Sequence, residues 1–323
     1  MSEALRGVAV GTGFLLIFAA AELWRRYGNP PVEWSRKFVH FTGGLLVLAF
    51  PWIFTSRWAV LALVSVFSVL IWGTRRAGLL RSVHGVTRES HGSLFYPLAV
   101  VILFTISHGQ PAFYLASALA LVVSDTAAAL VGSTYGRNWY DVGQDRRSIE
   151  GSVSFFLATF LAVHVTLLLM TGVDRSVSVL VAVQVALVVT LFEGISLNGS
   201  DNLFVPLATY HLLLRLTPES PAVIAGHTGV VVAILVLLSL LARRSRLMKT
   251  SGVMAASLFF YLIYSLAGPE WMLAPVLGFV GIVGMRACGR GVPLRRTRRI
   301  AVRAPDPPLG ACRMNVAFSG RDS

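Results

Sequence analysis

Apolar runs of about 20 residues recur along this chain, and no other feature limits its possible folds so strongly. A run of that length matches the hydrocarbon thickness of a bilayer when it is helical. In lipid, only helices and closed barrels satisfy every backbone polar group. Eleven such runs are drawn at residues 7–24, 38–54, 58–74, 94–108, 112–135, 151–172, 176–195, 202–216, 223–242, 252–267 and 271–286. The spans 94–108 and 202–216 are short, so each is tilted, partly buried or re-entrant. Hydrophobic residues make up 55% of the chain and charged residues only 13%, against about 25% charged in an ordinary soluble domain. The expected fold is all-α: a polytopic integral membrane helical bundle of about eleven transmembrane helices. The first run lacks a small-x-small cleavage site and is followed by Arg25 and Arg26, so it reads as a retained helix.

Loop charge tests this drawing. Arg25, Arg26, Arg36 and Lys37 lie in one loop, Arg75, Arg76, Arg81 and Arg88 in the next but one. Arg137, Arg146 and Arg147 follow, then Arg243, Arg244, Arg246 and Lys249, then the tail. The intervening loops hold only Arg57 and Arg175. Eleven spans put every strongly basic loop on one side, which places the N-terminus outside and the C-terminus in the cytoplasm. A bacterial plasma (inner) membrane is the expected location. The net charge of +13 needs no nucleic-acid partner, because nine arginines and only two aspartates lie between Arg286 and Ser323. Residues 1–286 read as one transmembrane domain. Residues 287–323 read as an Arg-rich disordered tail, opened by "RRTRR" and suited to anionic lipid. Cys288 and Cys312 show no metal-ligand spacing.

Four polar stretches stand out because ionisable groups at membrane depth cost free energy. In "SRKFVHFTGG" (35–44), Lys37 and His40 are three apart and share a helix face. Arg36 and Lys37 also suit plain topology anchors. In "TRESHGSLFYPLAV" (87–100), Arg88 and Glu89 belong to a solvated loop or to a site, while Tyr96 and Pro97 suit an interfacial aromatic and a helix start. In "SDTAAALVGSTYG" (124–136), Asp125 interrupts an apolar span. Ala128, Ala129 and Gly132 share its face, so another backbone or a ligand approaches closely there. The same stretch runs on to "RSIEGS" (147–152), where Ser148 caps the next helix, Gly151 gives phosphate access to backbone N–H groups, and Glu150 is an alternative metal ligand. In "FEGISLNGSDNLFVPL" (192–207), Glu193 ends one span and Asp201-Asn202 begins another, either as a capped polar turn or as site residues.

The eleven-span topology puts all four stretches at the cytoplasmic face. Carboxylates beside Arg and Lys at a membrane surface suit a Mg²⁺–nucleotide: hard oxygens for the metal and fixed cations for phosphate. "GVAVGTG" (7–13) reads as span packing rather than a phosphate loop.

In "RKFVHFTGG" (36–44), "RESHG...YPLAV" (88–100), "SDTAAALVGSTYG" (124–136), "RSIEGSVSFFL" (147–157) and "DNLFVPL" (201–207), the chain resembles the CTP-dependent lipid kinases. That group holds the dolichol, phytol and diacylglycerol kinases and is related to the phosphatidate cytidylyltransferases. The resemblance covers residues 36–216 and leaves the spans at 223–286 outside its motifs. It implies a membrane enzyme that uses CTP and Mg²⁺ to phosphorylate the hydroxyl of an isoprenoid alcohol or diacylglycerol. The site it implies comprises Lys37, His40, Arg88, Glu89, Asp125, Ser148, Glu150, Gly151, Asp201 and Asn202. Family members usually carry Lys before the Ser of the "KSxEGS" pattern, and here Arg147 stands there. Arginine keeps the charge and grips phosphate bidentately but does not act as a deprotonated base.

On this reading Asp125, Glu150 and Asp201 are the expected catalytic residues, with Asp125, Glu150 and Glu193 as metal ligands. Lys37, His40, Arg88, Glu89, Arg147, Ser148, Gly151 and Asn202 bind nucleotide or substrate. A phosphatidate cytidylyltransferase uses the same nucleotide and metal and stays an alternative. A transporter would place its carboxylates at mid-membrane, in repeated halves that are not visible here.

Overall fold

The computed structural model describes residues 2–77, 92–245 and 248–289. Each of the eleven expected runs falls on a helix or a closely joined pair of helices. In chain order these are α1 (Glu3–Gly28), α2 (Val32–Leu48), the single turn α3 (Phe50–Ile53), α4 (Arg57–Arg76), α5 (Gly92–Ile106) and α6 (Pro111–Tyr135). There follow α7 (Ile149–Met170), α8 (Arg175–Ile195), α9 (Asp201–Leu216), α10 (Pro221–Ser245) and α11 (Thr250–Ala267). A short 3₁₀ turn (Pro269–Met272) leads into α12 (Leu273–Gly289). Residues 290–323, which hold most of the Arg-rich tail, lie outside the described residues.

Among the described residues, seven helices are long and apolar enough to cross a membrane: α1, α4, α6, α7, α8, α10 and α11. Their outer faces expose large apolar side chains such as Leu16, Val66, Val69, Leu169 and Leu237. In water that surface would be a liability; against lipid tails it is the expected exterior. The molecule is a helical membrane bundle.

The site is positioned by α6, which packs against α7, α9 and α2. Pro111 opens this helix in its first turn, where a missing N–H costs nothing. Its buried face is built from small residues, among them Ala116, Ala120, Ser124, Ala128 and Gly132. The small face that begins at Asp125 receives the backbone of α7. A Cβ on Gly151 would sit 3.0 Å from the carbonyl oxygen of Ala128 and 3.4 Å from the Cα of Gly132. Only glycine at 151 lets the two helices approach this closely. Thr159 of α7 also donates to Ser124 Oγ at 2.9 Å, inside the seam.

Two apolar clusters hold the bundle together. One joins α6 to α11 through Phe155, Leu167, Val185, Val189, Leu213, Ile224 and Tyr261. The other joins α1 through α6 and α9 through Val47, Phe50, Val60, Leu103, Tyr114 and Tyr210. Tyr114 and Tyr210 are buried aromatics whose hydroxyls donate to the carbonyls of Val47 and Ile106, each at 2.8 Å.

Two expectations need correction. The stretch between α6 and α7 is not merely a polar loop. It folds as an antiparallel hairpin, β1 (Trp139–Val142) against β2 (Asp145–Ser148), in the register Trp139↔Ser148, Tyr140↔Arg147, Asp141↔Arg146 and Val142↔Asp145. The hairpin is a local addition, and the bundle is helical as expected. Gly143, at φ +61°, supplies the left-handed first position of the two-residue turn. Tyr140 and Val142 point inward while Trp139 and Asp141 are exposed, the alternation of a half-buried strand. Four residues per strand gave that alternation too little length to be seen in sequence. Pro97 does not start a helix either: α5 begins at Gly92 and carries Pro97 inside it. Tyr96 packs against His40 and both apolar clusters. Its hydroxyl is buried, with no hydrogen-bond partner among the described residues. Such a group costs about 1–3 kcal/mol, so Tyr96→Phe is expected to leave the thermal midpoint of the detergent-solubilised protein unchanged or raised.

Candidate active site

Lys37 and His40 lie one turn apart on α2 and converge on one carboxylate. Lys37 Nζ donates to Asp125 Oδ2 at 2.5 Å and approaches the Asp125 carbonyl at 3.4 Å. His40 Nε2 stands 3.3 Å from the same Oδ2, off the line of a good hydrogen bond. Its ring meets the edge of Tyr96 with 5.2 Å between centroids. The ammonium is almost wholly withdrawn from solvent, with Lys37 only 6% exposed. A cation at that depth persists only beside a counter-charge.

The second group forms around Arg147. The hairpin register sets Arg147 opposite the buried Tyr140, and so turns its guanidinium toward the α8–α9 junction. There Nη1 pairs with Glu193 Oε1. Nη2 reaches Asp201 Oδ2 and the Ser196 carbonyl, both at 3.3 Å. A planar fork with several donors suits acceptors that come from a helix end, a loop and a helix start. Asn198 (φ +54°) and Gly199 (φ +82°) make the tight turn between α8 and α9 that brings Glu193 and Asp201 together. The two groups are linked through α6, which carries Asp125 and packs against both α2, with Lys37 and His40, and α9, with Asp201. Within this cluster Glu193 Oε2 is buried and has no partner among the described residues.

The structure thus gathers Lys37, His40, Asp125, Arg147, Glu193 and Asp201. Other expected residues play different parts. Glu150 accepts from the backbone N–H of Asn138 at 3.1 Å and from its side-chain amide at 2.9 Å, which fixes the corner between α6 and β1. Ser148 caps α7, its Oγ accepting from the Gly151 N–H at 3.0 Å, so that N–H is already engaged. Asn202 donates to the Gly199 carbonyl at 3.2 Å and closes the α8–α9 turn. Arg88 and Glu89 lie outside the described residues. Among the described residues, no three His, Cys, Asp or Glu side chains lie together as a ready metal cage. Because one bond holds the cap, Ser148→Ala is expected to cost about 1 kcal/mol, read as a lower thermal midpoint.

Sequence reasoning missed three participants. Tyr140 bonds Ser152 Oγ at 2.9 Å, and burial pushes its phenol above the ordinary tyrosine range. The carbonyl of Ser196 receives Arg147, and Met254 of α11 packs on Gly194 beside Glu193. Only Gly143 in "WYDVGQDRRS" hints at the turn that positions Tyr140.

The fold and site thus define a helical membrane bundle with buried ion pairs where α2, α6, α8, α9 and the hairpin meet. A phytol kinase of Synechocystis sp. (strain ATCC 27184 / PCC 6803 / Kazusa) is 37% identical over 208 residues, 62% of this chain and 88% of that protein. The chain belongs to the lipid kinase family of the phytol kinases. No family model matches it, and no solved structure does.

Proposed function

We propose that this protein transfers the γ-phosphate of CTP to the hydroxyl of an isoprenoid alcohol, phytol or a polyprenol, with Mg²⁺. The observation that carries the reading is the meeting of two cations and three carboxylates, from five separate elements, in a chain related to a phytol kinase. Lys37 and Arg147 are the fixed cations for the polyphosphate. Each keeps donors beyond those its carboxylates use, since an ammonium offers three and a guanidinium five. Apolar helices around the cluster give the prenyl tail a hydrocarbon surface beside the polar one.

The carboxylates fit Mg²⁺, which is commonly held by one or two of them together with substrate phosphates. Asp125 and Glu193 are the residues that would hold it, and the unpartnered Glu193 Oε2 is the oxygen open to it. When bound, Mg²⁺ supplies charge neutralisation at the phosphate oxygens. The alcohol oxygen forms a bond to the γ-phosphorus as the bond to the bridging oxygen breaks. CDP leaves, and the hydroxyl proton passes to a carboxylate of the cluster, with Asp201 as the proposed acceptor. Positioning and fixed charge carry the rate in such a transfer, more than covalent chemistry by the protein. The cluster is assigned to the cytoplasmic face, where CTP is available; the one-sided distribution of basic loops in the sequence supports this orientation.

The test offers CTP, UTP, ATP and GTP, each with Mg²⁺ or with EDTA, to the purified protein together with phytol, a polyprenol, diacylglycerol and phosphatidate. The expected products are an isoprenoid monophosphate and CDP, with CTP and Mg²⁺ only. Formation of CDP-diacylglycerol and pyrophosphate from phosphatidate would contradict the proposal and establish a cytidylyltransferase.

A further inference from the structure

We infer that α11, which lies beyond the family-like motifs, is a brace for the phosphate-binding pair, and that Met254 is a positioning residue for phosphoryl transfer. The inference rests on the kinase reading above and extends it.

The contact point is Gly194, next to Glu193 in the last turn of α8. A Cβ on this residue would collide with Met254 Cε, and would lie 3.1 Å from Met254 Sδ and 3.1 Å from Tyr140 Oη. Met254 and Tyr140 thus occupy the space a side chain at 194 would need, beside the backbone that carries Glu193. Tyr140 stands opposite Arg147 in the hairpin, and Arg147 pairs with Glu193. The path Met254, Gly194, Tyr140, Arg147, Glu193 therefore closes on itself. Tyr140 is fixed in turn by Ser152 on α7.

α11 is itself anchored. Gln184 Nε2 donates to Tyr261 Oη at 2.7 Å, and both residues are buried, at 0% and 1% exposure. Gln184 lies ten residues before Gly194 on α8 and Tyr261 seven residues after Met254 on α11, so the two helices run antiparallel and touch at both points. A helix held only by apolar contact against lipid is free to slide, because lipid tails solvate it equally well. A buried polar tie fixes its register, and that register decides where Met254 presses on Gly194.

The test measures kcat and KM for CTP and phytol with full-length protein carrying Gly194→Ala, Met254→Ala, or both. Gly194→Ala is expected to lower kcat by about tenfold or more, since a displacement of about 1 Å at a reacting group is enough for that. KM for phytol should stay near its wild-type value. Met254→Ala removes the colliding atoms, so the double variant should recover kcat to within a few-fold of the Met254→Ala single variant, because the two sites couple directly. Met254→Ala alone should lower kcat while the protein keeps a cooperative thermal transition, which serves the test if Gly194→Ala fails to fold. Wild-type kcat in Gly194→Ala, no effect of Met254→Ala, or no recovery in the double variant would overturn the brace alone. An absence of phosphate transfer by the wild-type protein would instead overturn the kinase reading and this inference with it.

Discussion

Asp125→Ala is expected to abolish phosphate transfer and to destabilise the protein by about 3–5 kcal/mol. The stability loss comes from Lys37, whose ammonium is buried and donates to this carboxylate. Removing one partner leaves the other charge in a low-dielectric interior, which costs more than the pair itself contributes. The activity loss has a separate origin: Asp125 is a proposed metal ligand and the residue on which Lys37 and His40 are aligned. A double variant separates the two effects. Lys37→Met with Asp125→Leu removes both charges in similar volume, so thermal stability should return toward wild type while transfer stays absent. Asp125→Asn, which keeps the shape, should fold and yet lose CTP-dependent activity. Full activity in a folded Asp125→Asn protein would remove Asp125 from the site.

Arg147→Ala is the second change with a large expected effect. It strips the cation from Glu193 and Asp201 at once, and leaves two withdrawn carboxylates facing each other and the Ser196 carbonyl without its donor. The expected cost is again about 3–5 kcal/mol, with loss of transfer because one of the two phosphate-binding cations is gone. Arg147→Lys restores the residue usual in the pattern that this stretch resembles. It keeps the charge but replaces a planar fork by a single ammonium. That variant should fold and transfer phosphate, with a higher KM for CTP than wild type. A folded Arg147→Ala protein with unchanged KM for CTP would show that the guanidinium serves structure alone.

The bilayer explains why so much of the fold was legible. A helix that must cross about 30 Å of hydrocarbon leaves an apolar run too long to miss, and every such run proved helical. The α2 half of the site was legible for a related reason. Lys37, His40 and Asp125 are costly at membrane depth, and a spacing of three puts the first two on one face. The Arg147 half was legible only as a set of charges assigned to one side of the membrane. That Arg147 would bridge Glu193 and Asp201, 46 and 54 residues further on, depended on a hairpin too short to show a period. Glu150 illustrates the reverse. A carboxylate at a helix start suggests a ligand, but its partner Asn138 is set by the chain turning back between α6 and β1. The small face of Ala128 and Gly132 signals close approach without naming the visitor, and the visitor is the α7 backbone. Met254 carries no local signature, since its importance comes from a glycine sixty residues away.

The proposed work of this buried cluster is to move phosphate from a nucleotide to a prenyl alcohol. The most direct measurement follows label from γ-labelled CTP into lipid, with Mg²⁺, phytol and a polyprenol, for wild type and for folded Asp125→Asn. Label recovered in a prenyl monophosphate with wild type, and none with the variant, is the result expected. Equal labelling by both proteins, or no label in any alcohol while CDP-diacylglycerol forms from phosphatidate, would contradict the account.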